Sequence, residues 1–329
     1  MNGARHLAET LNSILAQEHV HFDLLISDDH SEDETLALAA SLIRDRGRIV
    51  ANPHRLGLAG NWNQCVALSR TPLLAIIHQD DRLHPSHLAA HVAAFRDPSV
   101  GLVASASLVI DDAGIEVPPS IVERGGLGLH NHLFAPREAL PALARSNPLR
   151  CSAVSLRVAA HAQTGGFDPA FRYVVDWDLW LRLAQHWSLA WLATPSVDVR
   201  WHQASETHRF KQGLIDLQET EQVLHAALAL LESSPAQTRS IASAAHHRLA
   251  RAYLNRAHTS LRGGDGPLAK SCLKKAVSLS PSILRSVASD PPLAAQMAAV
   301  WLSPKLSGSL FRRSEIDPAT DRNLKPDQD

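Results

Sequence analysis

The chain has 329 residues, room for one large domain and a smaller one, and a 45% hydrophobic content that supports a packed core. Lys plus Arg (32) nearly balance Asp plus Glu (33) with no long basic run, so no nucleic acid is expected as a partner. Cys65, Cys151 and Cys272 have neither zinc spacing nor a disulfide framework, and no apolar run approaches the ~20 residues that span a bilayer, so the expected location is the cytoplasm or the inner face of its membrane.

Between Ala4 and Gln17, Leu7, Leu11, Ile14 and Leu15 recur at the spacing of an amphipathic helix. Phe22 to Ser27 reads as a short strand, and Asp28-Asp29-His30-Ser31 as the polar turn after it. Ser31 and Glu34 have capping-box spacing, which predicts a helix from about Glu32 to Arg44. A strand over Arg48 to Ala51, a loop over residues 52–57 and a helix from Asn61 to Leu68 follow. Leu73 to Ile77 then forms a continuous apolar run, suited to a strand buried on both faces. Two carboxylates, Asp80 and Asp81, end it, and Pro85 pre-sets the first turn of a helix. Taken alone, the two aspartates read equally well as turn residues and helix-start charges.

This alternation predicts an α/β fold with a mostly parallel central sheet flanked by helices. Asp29, Gly57 and the Asp80/Asp81 pair then lie on loops leaving one edge of the sheet, where open α/β sheets bind ligands. Val100 to Ile110 reads as a longer strand, with a turn at residues 111–114. Gly125-Gly126-Leu127-Gly128 is not a dinucleotide fingerprint, because no strand precedes it and no acidic residue lies at the required distance; it reads as a mobile loop over the site. His130 and His132 read as solvated side chains.

Several of these segments together resemble an inverting family 2 glycosyltransferase of the GT-A fold. They are Asn2-Gly3 through Asp28-Asp29-His30-Ser31, the Gly57 to Asn61 loop, Gln79-Asp80-Asp81 before Pro85, then Gly165-Gly166-Phe167-Asp168 and Asp176-Trp177-Asp178-Leu179-Trp180-Leu181-Arg182. The order and spacing carry the resemblance, over roughly residues 2 to 205. It implies transfer of a sugar from a nucleotide-sugar donor to a saccharide or lipid-linked acceptor, assisted by a divalent cation, Mg or Mn. Asp81 is then the direct metal ligand, and Asp80 lies towards the donor ribose or sugar. Asp29 matches the position that hydrogen-bonds the nucleotide base. Gly57 admits close approach of backbone to nucleotide, and Asn61 is a secondary contact. His202, after an alternating strand over Val197 to Trp201, resembles a late histidine that approaches the metal or the diphosphate. The sequence departs from the family at His78, which stands where many relatives carry the first Asp of an Asp-x-Asp element.

The acceptor hydroxyl must lose a proton, and Asp176 is the expected general base. On sequence alone Asp176 is equally an N-cap for a helix whose Trp177, Trp180, Leu181 and Ala184 form a buried stripe. Asp178 and Arg182 have the i,i+4 spacing of a structural ion pair. Two rival readings are a sugar nucleotidyltransferase, which lacks its glycine- and basic-rich triphosphate loop here, and a non-catalytic scaffold derived from a glycosyltransferase.

Residues 1–208 are thus expected to form the catalytic domain. Residues 209–302 read as a helical extension, with helices from Phe210 to about Leu231, from Ile241 to Leu261, and from Pro267 to about Pro281. Tyr253, Ala257, Leu261, Ala269, Ala276 and Pro281 resemble one tetratricopeptide-like hairpin, a surface for a protein partner. The polar tail, residues 303–329, is expected to be disordered. Relatives also begin with an interior strand running into the segment matched by Asn2-Gly3, so roughly ten further residues are expected upstream. Without that strand the sheet should either leave a gap or close up on the strand at Phe22.

Overall fold

The computed structural model describes residues 1–118, 126–202, 205, 209–210, 213–289 and 291–303. Gly125 and all of the expected tail except Ser303 lie outside these. The chain divides into two compact units, Met1–Glu219 and Thr220–Asp329.

The first unit opens on α1 (Ala4–Leu15), whose buried Leu7, Leu11 and Ile14 pack on Leu24, Ala39, Ile43, Leu83 and Val197. β1 (Leu25–Asp28) and β2 (Arg48–Ala51) pair in parallel, linked by α2 (Thr35–Ile43). The ladder starts at Leu25↔Arg48, three residues later than Phe22. The expected capping box does not form. Ser31 Oγ instead donates to Asp28 and accepts the Asn2 N–H, and α2 begins at Thr35 without a side-chain cap. α3 (Gly57–Ala67) starts four residues before Asn61, so Gly57 belongs to its first turn.

The larger sheet has six strands in the order β3-β7-β5-β8-β4, with β6 also paired to β8. Its strands are β3 (Leu73–Ala75), β4 (Arg82–Leu83), β5 (Val100–Ile110), β6 (His132–Phe134), β7 (Val154–Arg157) and β8 (Ser188–Arg200). The longest ladder, β5 on β8, is parallel, and the β3–β7, β5–β7, β4–β8 and β6–β8 pairs are antiparallel. β1 and β2 form a sheet of their own. Leu73, Leu74 and Ala75 are accordingly half-buried rather than enclosed on both faces. The helices on this sheet include α4 (His87–Ala94), α5 (Leu140–Leu143), α6 (Val158–Gln163) and α7 (Val175–His186). The architecture is α/β, with helices covering a central sheet.

α8 (Ile215–Ala229) spans the point at which the chain divides. Beyond it the second unit is helical: α9 (Pro235–Arg262), α10 (Gly266–Leu279), α11 (Ile283–Ala288) and α12 (Pro291–Leu302). α9 starts earlier than Ile241 because Ser234 caps it, accepting the Gln237 N–H, and Pro235 fits the first turn. Asp265 caps α10 in the same way. Tyr253, Ala257, Leu261, Ala269 and Ala276 are all buried where α9 packs on α10, and the alanines admit close approach. Among the described residues no helix is long and apolar enough to cross a membrane.

Candidate active site

The loops after β1 and before α3 lock together through Asp29. Its Oδ1 accepts the Leu56 N–H at 2.7 Å and Asn52 Nδ2 at 3.0 Å, and its Oδ2 accepts the Gly57 N–H at 3.0 Å. The carboxylate therefore holds the start of α3, where the helix dipole favours negative charge. Gly57 has φ +75, and a Cβ on it would meet nothing within 4 Å, so open space lies before its backbone. Asn61 lies one turn on, but its side chain is occupied. Asn61 Oδ1 accepts from Ser27 Oγ at 2.7 Å and from Asn52 Nδ2 at 3.1 Å, and its Nδ2 donates to Ser27 O. The structure brings Asp29, Gly57 and Asn61 together and gives Asn61 the work of bracing β1.

Across the site, Asp81 is 2% exposed and accepts the Arg200 N–H at 2.9 Å. Burial, then the charge of Asp80, pushes its pKa up to about 6. His78 Nδ1 lies 3.8 Å from Asp81 Oδ2, and the His78 ring stacks on Trp62 at 5.5 Å. His78, Asp80 and Asp81 offer ligand atoms within 4.8 Å of one another. A buried carboxylate deprived of water, beside a second carboxylate and an imidazole, is a donor set that a divalent cation relieves, so these residues fit one. His202 is brought to the same place, its Nε2 2.9 Å from Asp80 Oδ2.

Asp176 stands in the first turn of α7, two residues past the N-cap at Val174, so it is not the cap that its spacing allowed. The turn is held instead by Glu219, whose carboxylate accepts the N–H groups of Arg172, Tyr173 and Val174. Asp176 Oδ2 accepts from Asn147 Nδ2 at 3.1 Å and Oδ1 from the Trp177 N–H at 2.7 Å. Burial raises its pKa, and the nearby His78 opposes that rise. Burial, and then the charges of Asp176 and Asp81, push the Cys151 thiol pKa well upward.

The segment from Gly165 to Arg182 is also tied down. Arg182 pairs with Asp178 at 2.6 Å, as its spacing predicted, and donates to Gly166 O at 2.7 Å. Gly166 has φ +75, and a Cβ there would sit 2.9 Å from Asn63 Oδ1. His132 lies on β6 with its side chain 50% exposed, as a solvated side chain should be, and bonds Glu138 at 3.2 Å.

Arg200 went unnoticed in the sequence. Its side chain is 1% exposed and donates to Asp80 O, Asp111 O, Asp112 O and Glu9 Oε2. The one available signal was a charged residue on an alternating strand, Val197-Asp198-Val199-Arg200. His78 stands out in the sequence only as a departure from the Asp-x-Asp pattern, and Asn147 and Cys151 carry no such signal.

The chain is 34% identical over 214 residues to the uncharacterized protein MT1568 of Mycobacterium tuberculosis, covering 63% of this chain and 66% of that protein. EpsE of Bacillus subtilis, provisionally named a glycosyltransferase, is 28% identical over 190 residues, 55% of this chain and 63% of EpsE. The chain thus spans under two thirds of the length of either curated relative. Among solved structures, S. aureus TarS in complex with UDP-GlcNAc superposes with a TM-score of 0.60 at 13% identity, over 96% of this chain and 91% of that one. The mannosyltransferase PcManGT of Pyrobaculum calidifontis, in complex with GDP-Man and Mn2+, gives 0.51 at 15% identity, over 93% and 83%. These two likenesses carry the GT-A type of fold. Residues 1–154 match the family model Glycosyl transferase family 2, and over that stretch the chain is similar to that family.

Proposed function

We propose that the chain is an inverting glycosyltransferase that moves one sugar from a nucleotide-sugar donor to a saccharide or lipid-linked acceptor. The observations that support this reading are the cluster of His78, Asp80 and buried Asp81, whose ligand atoms lie within 4.8 Å of one another, and a second carboxylate, Asp176, fixed in the first turn of α7 by Asn147 and the Trp177 N–H. The nucleotide lies along Asp29 and Gly57, its base facing the Asp29 carboxylate, with Asn61 supporting β1 behind it. Asp81 and Asp80, with His78 beside them, hold a divalent cation, Mg or Mn. That cation supplies charge neutralisation for the diphosphate leaving group. PcManGT, with its GDP-Man and Mn2+, and TarS, with its UDP-GlcNAc, support a donor and a metal of this kind.

Asp176 takes the proton of the acceptor hydroxyl as the oxygen attacks the anomeric carbon. The new C–O bond forms on the face opposite the bond to the diphosphate, which breaks, and the configuration inverts. Burial raises the Asp176 pKa from its ordinary value, which strengthens it as a base, while Asn147 and the Trp177 N–H fix its direction. His202 acts through Asp80, orienting that carboxylate.

The test is release of nucleoside diphosphate from a panel of UDP-, GDP- and dTDP-sugars with Mn2+ or Mg2+. Turnover that requires the cation and rises with a saccharide acceptor is expected. Tight donor binding with no turnover of any donor would instead favour the scaffold reading.

A further inference from the structure

One short segment reaches both carboxylates of the site. It runs from Asn147, beyond α5, to Ser152, just before β7, and within it Leu149 and Ser152 are 2% and 1% exposed. The β3–β7 ladder brings its far end to the donor loop. That ladder is antiparallel, with Leu73↔Arg157, Leu74↔Leu156 and Ala75↔Ser155, and the same register carried past the end of β3 sets Ser152 opposite His78. Ser152 Oγ accepts the His78 N–H at 2.9 Å, and its hydroxyl donates to the Asp81 carboxylate. A serine hydroxyl has one proton to give, and Asp81 takes it. With the Arg200 N–H on its Oδ1, Asp81 is held both from the start of β7 and from the end of β8.

The near end of the segment is fixed to α7. Asn147 Oδ1 accepts the Leu149 N–H at 3.2 Å, which leaves its Nδ2 for Asp176 Oδ2 at 3.1 Å. Just ahead of it, Leu143 O accepts the Trp177 Nε1–H at 2.9 Å. Inside it the chain is turned, the Ala153 N–H donating to Arg150 O at 2.9 Å. A segment buried, turned and bonded at both ends has little freedom, so a displacement of either end moves a carboxylate.

We propose that residues 147–152 form a strut that sets Asp81 against Asp176, with Ser152 the positioning residue for the cation's carboxylate and Asn147 the positioning residue for the base. The strut rests on the glycosyl-transfer reading, in which the leaving group and the attacking hydroxyl lie on opposite faces of one anomeric carbon. A fixed spacing between the groups that serve them is what a near-attack geometry requires. A carboxylate that ligates a metal is itself oriented by outer hydrogen bonds, and Ser152 supplies one.

The experiment makes two measurements on the full chain and its variants, Mn2+ affinity by calorimetry in the presence of UDP or GDP, and kcat and donor KM for sugar transfer with Mn2+. Ser152→Ala should weaken Mn2+ binding about tenfold or more, and Ser152→Thr, which keeps the hydroxyl, should restore it. Asn147→Ala should leave Mn2+ affinity and donor KM unchanged and lower kcat about tenfold or more. Circular dichroism checks each variant, and if Ser152→Ala fails to fold, Asn147→Ala decides, since Asn147 is only half-buried. Mn2+ bound as tightly by Ser152→Ala as by the parent, or transfer unaltered in Asn147→Ala, would overturn the strut and leave the glycosyl-transfer reading standing. A parent that binds no Mn2+ with either diphosphate would instead overturn the cation reading, and the strut with it.

Discussion

His87 and His91, one turn apart on α4, are 0% and 1% exposed with ring centroids 4.0 Å apart. Each Nδ1 meets a serine hydroxyl at 2.8 Å, Ser196 for His87 and Ser155 for His91, while both Nε2 atoms are buried without a partner. Neither ring can accept a proton without placing a charge in the core. Burial lowers the His87 pKa to about 4 and holds His91 well below its usual value. In the unfolded chain a histidine takes its proton near 6.5, so between about 6.5 and 4 the unfolded state binds more protons and stability falls as pH falls. Each pKa unit is about 1.4 kcal/mol, so His87 alone removes about 2.5 kcal/mol by pH 4.5, and His91 adds to the loss in the same sense.

The assay is urea unfolding followed by tryptophan fluorescence at pH 7.5 and pH 4.5. Of the seven tryptophans, Trp62, Trp177, Trp180, Trp187, Trp191 and Trp201 lie in the first unit, so the signal reports the unit that holds α4. His87→Gln removes the titrating ring, and the drop between the two pH values should shrink by about 2 kcal/mol or more. An unchanged pH dependence in this variant would refute the reasoning.

Asp81→Asn should lose most donor turnover, with little restored by added cation, because ligand charge is gone; full activity without any divalent ion would contradict that role. Glu219→Gln weakens three charge-assisted bonds ahead of α7 and should cost about 1–3 kcal/mol in urea unfolding of the first unit, while a change under 0.5 kcal/mol would mean the turn stands without it. Gly166→Ala places a side chain at φ +75 against Asn63, so its expected cost exceeds the roughly 1–2 kcal/mol of left-handed backbone alone. A melting temperature equal to the parent's would show that the loop relaxes.

What could be read from the sequence depended on whether the signal was local. Leu7, Leu11 and Ile14 announced α1 because a helix repeats its buried face within one segment. Asp178 and Arg182 announced their pair for the same reason. The sheet was less open to reading, since β7, β4 and β6 join it by antiparallel pairings between distant segments, and strands as short as Arg82–Leu83 carry no period. Ser31 and Glu34 had the spacing of a cap, but the tertiary bonds of Ser31 to Asp28 and Asn2 won. At the site, the aspartates were visible as paired charges after an apolar run. Asn147, Cys151 and Arg200 matter because of what the fold brings beside them, which no spacing encodes. Asn61 shows the reverse case, a recognised position whose bonds all turn inward.

The central claim is that Asp176 is the base that deprotonates the acceptor. Its most direct test compares the parent and Asp176→Asn in two readouts, nucleotide affinity by calorimetry and sugar transfer at saturating donor. The amide keeps the bond to the Trp177 N–H and the shape of the turn, so the affinity should be unchanged while transfer falls by ~100-fold or more. Parallel loss of affinity and transfer would contradict the account, making Asp176 a structural residue of α7, and so would transfer that survives the substitution.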